Sequence, residues 1–158
     1  MVVRVYKAGI FSALGHDHEI AVPIAGGAVD TAARSVELRA NAGALRVRDP
    51  HVSGKDQAEI QTTMLGPEVL DAERYPEIIF RSTAAEQAGV GSWRVQGQLT
   101  LHGQTRTVVV DAQESGGSYA GSIRLKLTDF GIKPVKVARG TIRVKDEIRI
   151  EFEIHLAR

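Results

Sequence analysis

From Ile142 to Leu156 the chain alternates apolar and charged residues. Ile142, Val144, Ile148, Ile150, Phe152, Ile154 and Leu156 fall on one parity, and Arg143, Lys145, Glu147, Arg149, Glu151, Glu153 and His155 on the other. A period of two places these sets on opposite faces of one strand. Strands commonly run about five or six residues, so one this long needs neighbours of similar length to pair its backbone groups. The pattern therefore predicts a barrel or strongly curved sheet with an apolar interior. Asp146 shares the apolar parity. It is either an inward carboxylate or, as its charged neighbours Lys145 and Glu147 favour, the mark of a bulge or turn.

The neighbours are present. Val2 to Phe11, His16 to Ile24, Ser35 to Val47, Glu77 to Thr83, Gly91 to Leu101, Thr105 to Ala112 and Tyr119 to Leu127 read as further strands. Ile20, Val22 and Ile24 share a face, as do Trp93, Val95, Leu99 and Leu101, and again Ile123, Leu125 and Leu127. In the third strand the phase of Val36, Leu38 and Ala40 slips to Leu45 and Val47, which predicts a bulge near Gly43. The Gly- and Ala-rich stretch Ala25 to Arg34, Glu86 to Val90 and Ser115 to Ser118 read as connections.

Asp49 to Tyr75 differs in kind. Ser53 followed by Asp56 predicts a helix N-cap, and the pairs Ile60/Met64 and Leu65/Val69 share helical faces. Pro67 suits the start of a second short helix, and Pro76 ends the excursion. The expected fold class is all-β: an eight-stranded antiparallel up-and-down barrel with one helical excursion as a lid or side-pack. Such a barrel encloses roughly one small ligand when its interior is not plugged. Aromatic residues make up only 5% of the chain, which disfavours a plug.

Composition excludes several classes. With 20 basic and 19 acidic residues there is no broad basic field for nucleic acid. No cysteine is present, so thiol catalysis, disulfides and thiolate metal sites are excluded. No apolar run reaches the ~20 residues of a membrane helix, and Arg4 and Lys7 interrupt any signal-peptide pattern at the start. The expectation is a soluble chain, cytoplasmic as given or periplasmic if it is a trimmed mature form.

Three stretches carry a resemblance: Arg74-Tyr75-Pro76-Glu77-Ile78-Ile79-Phe80-Arg81-Ser82-Thr83, Val95 to Arg106 with its Leu99-Thr100-Leu101-His102-Gly103 core, and Asp129-Phe130-Gly131-Ile132. In order and spacing they resemble the YceI-like family from about Phe11 to the C-terminus. The resemblance implies one domain over residues 1–158, a lipocalin-like barrel, and binding of long polyisoprenoid lipids. Many members of that family are periplasmic. The chain departs from it in lacking a signal sequence and at Gly15-His16-Asp17-His18-Glu19-Ile20, a His-Asp-His run that marks a subgroup.

The expected cavity wall comprises Ile20, Val22, Leu38, Phe80, Trp93, Val95, Leu99, Ile123, Leu125, Ile142, Val144, Ile148, Ile150 and Phe152. In an up-and-down barrel the Leu14-Gly15 turn, the helical excursion, the His102-Gly103 turn and the loop Asp129 to Gly140 share one end. That end is either the mouth or a sealed base. If it is the mouth, His16, His18, Lys133, Lys136 and Arg139 are candidate contacts for a polar head group such as a phosphate.

His16 and His18 also have the spacing to chelate a metal with a third ligand. Interior rim histidines more often hydrogen-bond to backbone or water. His102 reads as a turn or surface residue, and His51 and His155 as exposed. No Gly-x-Ser-x-Gly elbow or phosphate-binding glycine loop is present. The sequence therefore calls for no enzyme and no cofactor. It favours a carrier or store for a hydrophobic small molecule, with no nucleic-acid partner and a homodimer as one open assembly. The alternatives are a metal-binding protein or metal-dependent enzyme built on His16 and His18, and a filled barrel serving as a structural or stress component.

Overall fold

A computed structural model describes residues 2–8, 18–49, 52–133, 136–137 and 142–157; side chains are described for 19–49, 52–133 and 146–157. The strands are β1 (Val2–Ala8), β2 (His18–Ala21), β3 (Gly26–Asp30), β4 (Ser35–Asn41), β5 (Arg46–Val47), β6 (Glu77–Gly89), β7 (Ser92–Leu101), β8 (Gln104–Ser115), β9 (Ser118–Lys126), β10 (Lys136–Val137) and β11 (Ile142–His155), with one helix, α1 (Gly54–Leu65).

Two long staves are each broken in the middle. β2 and β3 are one bent stave, and β4 and β5 are another. With these joined, and the short β10 set aside as a partner of β11, eight antiparallel staves run in chain order. The ring closes at two places. Val2 of β1 pairs with Glu151 of β11, and Ile20 of β2 pairs with Val47 of β5. The expected eight-stranded antiparallel barrel is the observed fold.

The phase slip near Gly43 proves to be a 3-10 turn over Ala42–Ala44, in which the Asn41 side chain accepts a hydrogen bond from the Gly43 amide. Three residues leave the ladder there, so the stave, paired with β3 and β6 along β4, keeps β2 as its partner along β5. Asp146 sits where β11 carries extra residues: Val5 pairs with Ile148 but Lys7 with Val144. That is the expected bulge. Its carboxylate accepts from the Thr128 amide (2.8 Å) and hydroxyl (2.6 Å), tying the bulge to the turn that follows β9.

Three local expectations are corrected. The Gly- and Ala-rich connector contains β3, paired to β4 from Gly26↔Arg39 to Asp30↔Ser35. Weak intrinsic strand propensity is overridden by a full ladder of partners. The connection expected at Glu86 to Val90 shrinks to a turn at Val90-Gly91, because β6 continues to Gly89 through two register shifts. No second helix begins at Pro67. The chain there makes successive tight turns, with Val69 and Asp71 amides both donating to the Gly66 carbonyl.

The helix α1 begins as expected, with Ser53 Oγ accepting from the Asp56 amide. Among its residues only Met64 is buried, so apolar packing holds it weakly. Gln61 supplies a second attachment. Its carboxamide accepts from the Val47 amide (2.8 Å) and donates to the Leu45 carbonyl (2.7 Å), using backbone groups freed by the break in the stave. The helix is therefore a side-pack over that break.

Candidate ligand-binding site

Inward side chains surround a cavity of about 600 Å³, within the usual range of small-molecule sites. Ile20, Val22, Leu38, Phe80, Trp93, Val95, Leu99, Ile123, Ile148, Ile150 and Phe152 line it, all on the parity expected. Val36, Ile78, Val108 and Val110 join them from β4, β6 and β8, and Ile60, Met64 and Leu70 from the helical segment. Leu125 is a correction. It is only 6% exposed and packs in the core cluster with Phe130 and Ile132, but it does not line the cavity. It stands one step nearer the end of β9, where the next turn covers it. Ile142 and Val144 lie in β11, but their side chains are outside the described residues.

Burial falls steadily along the staves and identifies the two ends. On β7, Leu101, Leu99 and Gly97 are buried while Val95 and Trp93 are half-buried. On β9, Leu125 is buried while Ile123 and Tyr119 are half-buried. On β11, Ile148 is buried while Ile150, Phe152 and Ile154 are half-buried. Every series is closed toward the helix and the His102-Gly103 turn, and open toward the turns at 31–34, 90–91 and 116–117. Ten residues of β7 span roughly 33 Å at the usual rise, and a barrel tilt of about 40° reduces this to about 25 Å of depth.

The base is assembled from the three sequence stretches that carried the resemblance. The His102 ring meets the Tyr75 ring edge-on at 4.7 Å, and its Nδ1 lies 3.0 Å from the Phe130 carbonyl oxygen. A carbonyl can only accept, so Nδ1 carries the proton. His102 and Gly103 both have positive φ, 52° and 69°, as a two-residue hairpin turn requires. A Cβ on Gly103 would stand 2.6 Å from Tyr75 Cε1. Phe130 and Ile132, each 1% exposed, plug the floor beneath this clamp.

Of the expected head-group contacts, Lys133 is the one whose side chain is described, and it lies at the base end, not the mouth. Lys133 is exposed there and touches the cavity. Lys136 pairs through its backbone with Arg143, and His18 with Val5, but neither side chain is described. His16, Arg139 and His51 are outside the described residues. Among the described residues, no group of three His, Cys, Asp or Glu side chains could hold a metal ion, and no helix is long and apolar enough to cross a membrane.

At the mouth stands a polar group that the sequence reading missed. Glu114 continues the inward parity of Val108, Val110 and Ala112 on β8. Its Oε2 accepts a hydrogen bond of 3.1 Å from Trp93 Nε1, and across the hairpin it pairs with Tyr119. Burial raises the Tyr119 phenol above its ordinary pKa, and the adjacent Glu114 carboxylate raises it further. The signal was available: Glu114 sits on an apolar parity, just as Asp146 does. Arg34 and Asp30 line the mouth from the β3–β4 hairpin.

Residues 9–156 match the model of the YceI-like domain. The chain belongs to the YceI-like family. It is 35% identical over 88 residues to a UPF0312 protein of Vibrio cholerae, an alignment covering 49% of this chain and 47% of that one. A UPF0312 protein of Pseudomonas savastanoi is 38% identical over 96 residues, covering 54% and 44%. The chain thus spans about half the length of the curated relatives it matches. Among solved structures, BcnA of Burkholderia cenocepacia superposes with a TM-score of 0.64 at 19% identity, over 96% of this chain and 94% of that one. The YCEI protein of Campylobacter jejuni gives 0.60 at 15% identity, over 88% and 82%. These two likenesses show the YceI-like barrel as the shared fold.

Proposed function

We propose that this YceI-like barrel binds an elongated apolar molecule, a polyisoprenoid or related lipid, and carries or stores it with the tail along the barrel axis. The observation that supports this reading is the depth and lining of the cavity: apolar wall on every stave whose side chains are described, a plugged base and an open mouth. Burial contributes about 0.8 kcal/mol per methylene, while association costs about 4–15 kcal/mol. A tail of ten methylene equivalents gains about 8 kcal/mol, inside that range of cost, whereas one of twenty gains about 16 kcal/mol and exceeds it. A short apolar molecule does not suffice, which is why the reading specifies an elongated one. The cavity volume weighs against a filled barrel acting through its surface alone.

Native mass spectrometry of the purified protein, followed by solvent extraction, tests this. The expected result is a bound lipid mass, with affinity for added linear prenols rising with tail length. A protein that carries no lipid and takes up none of the added series would overturn the reading.

A further inference from the structure

Among the described residues, Glu114 is the one carboxylate that follows the inward parity of its strand to the cavity mouth, on β8. A carboxylate offers about four acceptor sites, and Trp93 Nε1 occupies one. Tyr119 adds a hydroxyl to the same lip, and its proton is hydrogen-bonded to the Glu114 carboxylate. Across the mouth, Arg34 is the only basic residue among the described lining residues at that end, and Asp30 accompanies it. Lys133, the basic residue at the base, lies at the far end of the cavity.

An anionic head such as a diphosphate would therefore enter a mouth whose described strand and hairpin residues present two carboxylates, Asp30 and Glu114, and one guanidinium, Arg34, and would lie against Glu114 where apolar walls reduce screening. A hydroxyl head meets the reverse situation. It donates to a remaining acceptor site of Glu114 and leaves that carboxylate's bonds from Trp93 and Tyr119 in place.

We propose that Glu114, steadied by Trp93 and flanked by Tyr119, selects ligands whose head group is an uncharged hydrogen-bond donor, a hydroxyl, and rejects phosphorylated forms of the same tail. This rests on the apolar-ligand reading above and adds the chemistry of the head. Like-charge exclusion at the mouth supplies the discrimination, while the wall supplies affinity without distinguishing heads. Glu114 is thus a specificity-determining residue.

The test compares geranylgeraniol, geranylgeranyl diphosphate and the headless hydrocarbon of the same tail by calorimetry, on the full chain and on Glu114→Gln. The alcohol should bind at least tenfold more tightly than the diphosphate to the unaltered protein. In Glu114→Gln that ratio should fall about tenfold, with hydrocarbon affinity unchanged. The hydrocarbon also reports that the variant is folded. Equal or tighter binding of the diphosphate, or a ratio unmoved by Glu114→Gln, overturns the head-group proposal and leaves the apolar-ligand reading standing. Failure of all three probes to bind overturns both.

Discussion

The His102 imidazole donates from Nδ1 to the Phe130 carbonyl at 3.0 Å, joining the β7–β8 turn to the floor of the barrel. Phe130 opens no hydrogen-bonding ladder of its own, since its 3-10 turn ends at Gly131 in the left-handed conformation. The His102 side chain thus holds one end of this floor turn, and Asp146, bonded to Thr128, holds the other. Replacing His102 by Ala should cost about 1–3 kcal/mol, from the buried acceptor left unpaired and from a non-glycine residue at φ 52° without compensation. Urea denaturation should show a lowered midpoint at constant slope. An unchanged midpoint would mean the clamp is dispensable.

Gly97 and Phe80 make a second close pair, in the cavity wall. A Cβ at Gly97 would stand 2.5 Å from the Phe80 ring and 2.6 Å from the Arg81 carbonyl oxygen. Backbone cannot yield, so Gly97→Ala should turn the Phe80 ring toward the cavity. The expected results are a loss of about 1–3 kcal/mol in stability and weaker uptake of a long prenol. Normal stability and normal uptake together would show that the ring has room elsewhere.

Ile150 and Leu125 should respond differently to the same replacement. Ile150 lines the cavity, so Ile150→Arg places its charge in a space that opens to solvent, and the protein should fold but lose prenol binding. Leu125 is packed against the plug, so Leu125→Arg buries an unpaired charge and should prevent stable folding. Circular dichroism and prenol binding on both variants check this. A folded Leu125→Arg protein, or an Ile150→Arg protein with undiminished binding, would contradict the assignment of wall and floor.

The Tyr119 phenol gives a pH prediction. Its folded pKa lies above the ordinary 10.0, chiefly through burial and then through Glu114. Above pH 10 the unfolded chain releases this proton while the folded chain keeps it. The contribution is therefore present below about pH 10 and is lost as pH rises through the folded value. Tyrosinate absorbance, with Tyr119→Phe as the reference, should show late ionisation that Glu114→Gln advances only in part. Ionisation of Tyr119 at the ordinary value would remove the lip from the account.

Much of the wall was legible because strand periodicity is local physics. Ile148, Ile150 and Phe152 are inward because alternate side chains of a strand face opposite ways, and no distant contact can change that. The bulge at Asp146 and the cap at Ser53 were readable for the same reason: each is a short-range pattern with a short-range cause. Leu125 was misplaced because parity gives the face of a strand and not the depth along it. Depth depends on where Phe130 packs, a contact made by a different segment.

Glu114 was overlooked for a related reason. Its parity marked it as inward, but only the hairpin register brings Trp93 and Tyr119 to it and makes a lip of three scattered residues. The β3 strand was hidden because its glycines have little strand preference, and pairing with β4 outweighs that preference.

The alternation from Ile142 to Leu156 by itself determined a long two-faced strand, and hence a container with an apolar interior. Which end of the container opens was decided only by the tertiary structure. An up-and-down barrel has the same periodicity whichever end is sealed. Sealing depends on long-range contacts, here Tyr75 against His102 and His102 against Phe130, which bring three separate turns onto one floor and leave Glu114 at the mouth.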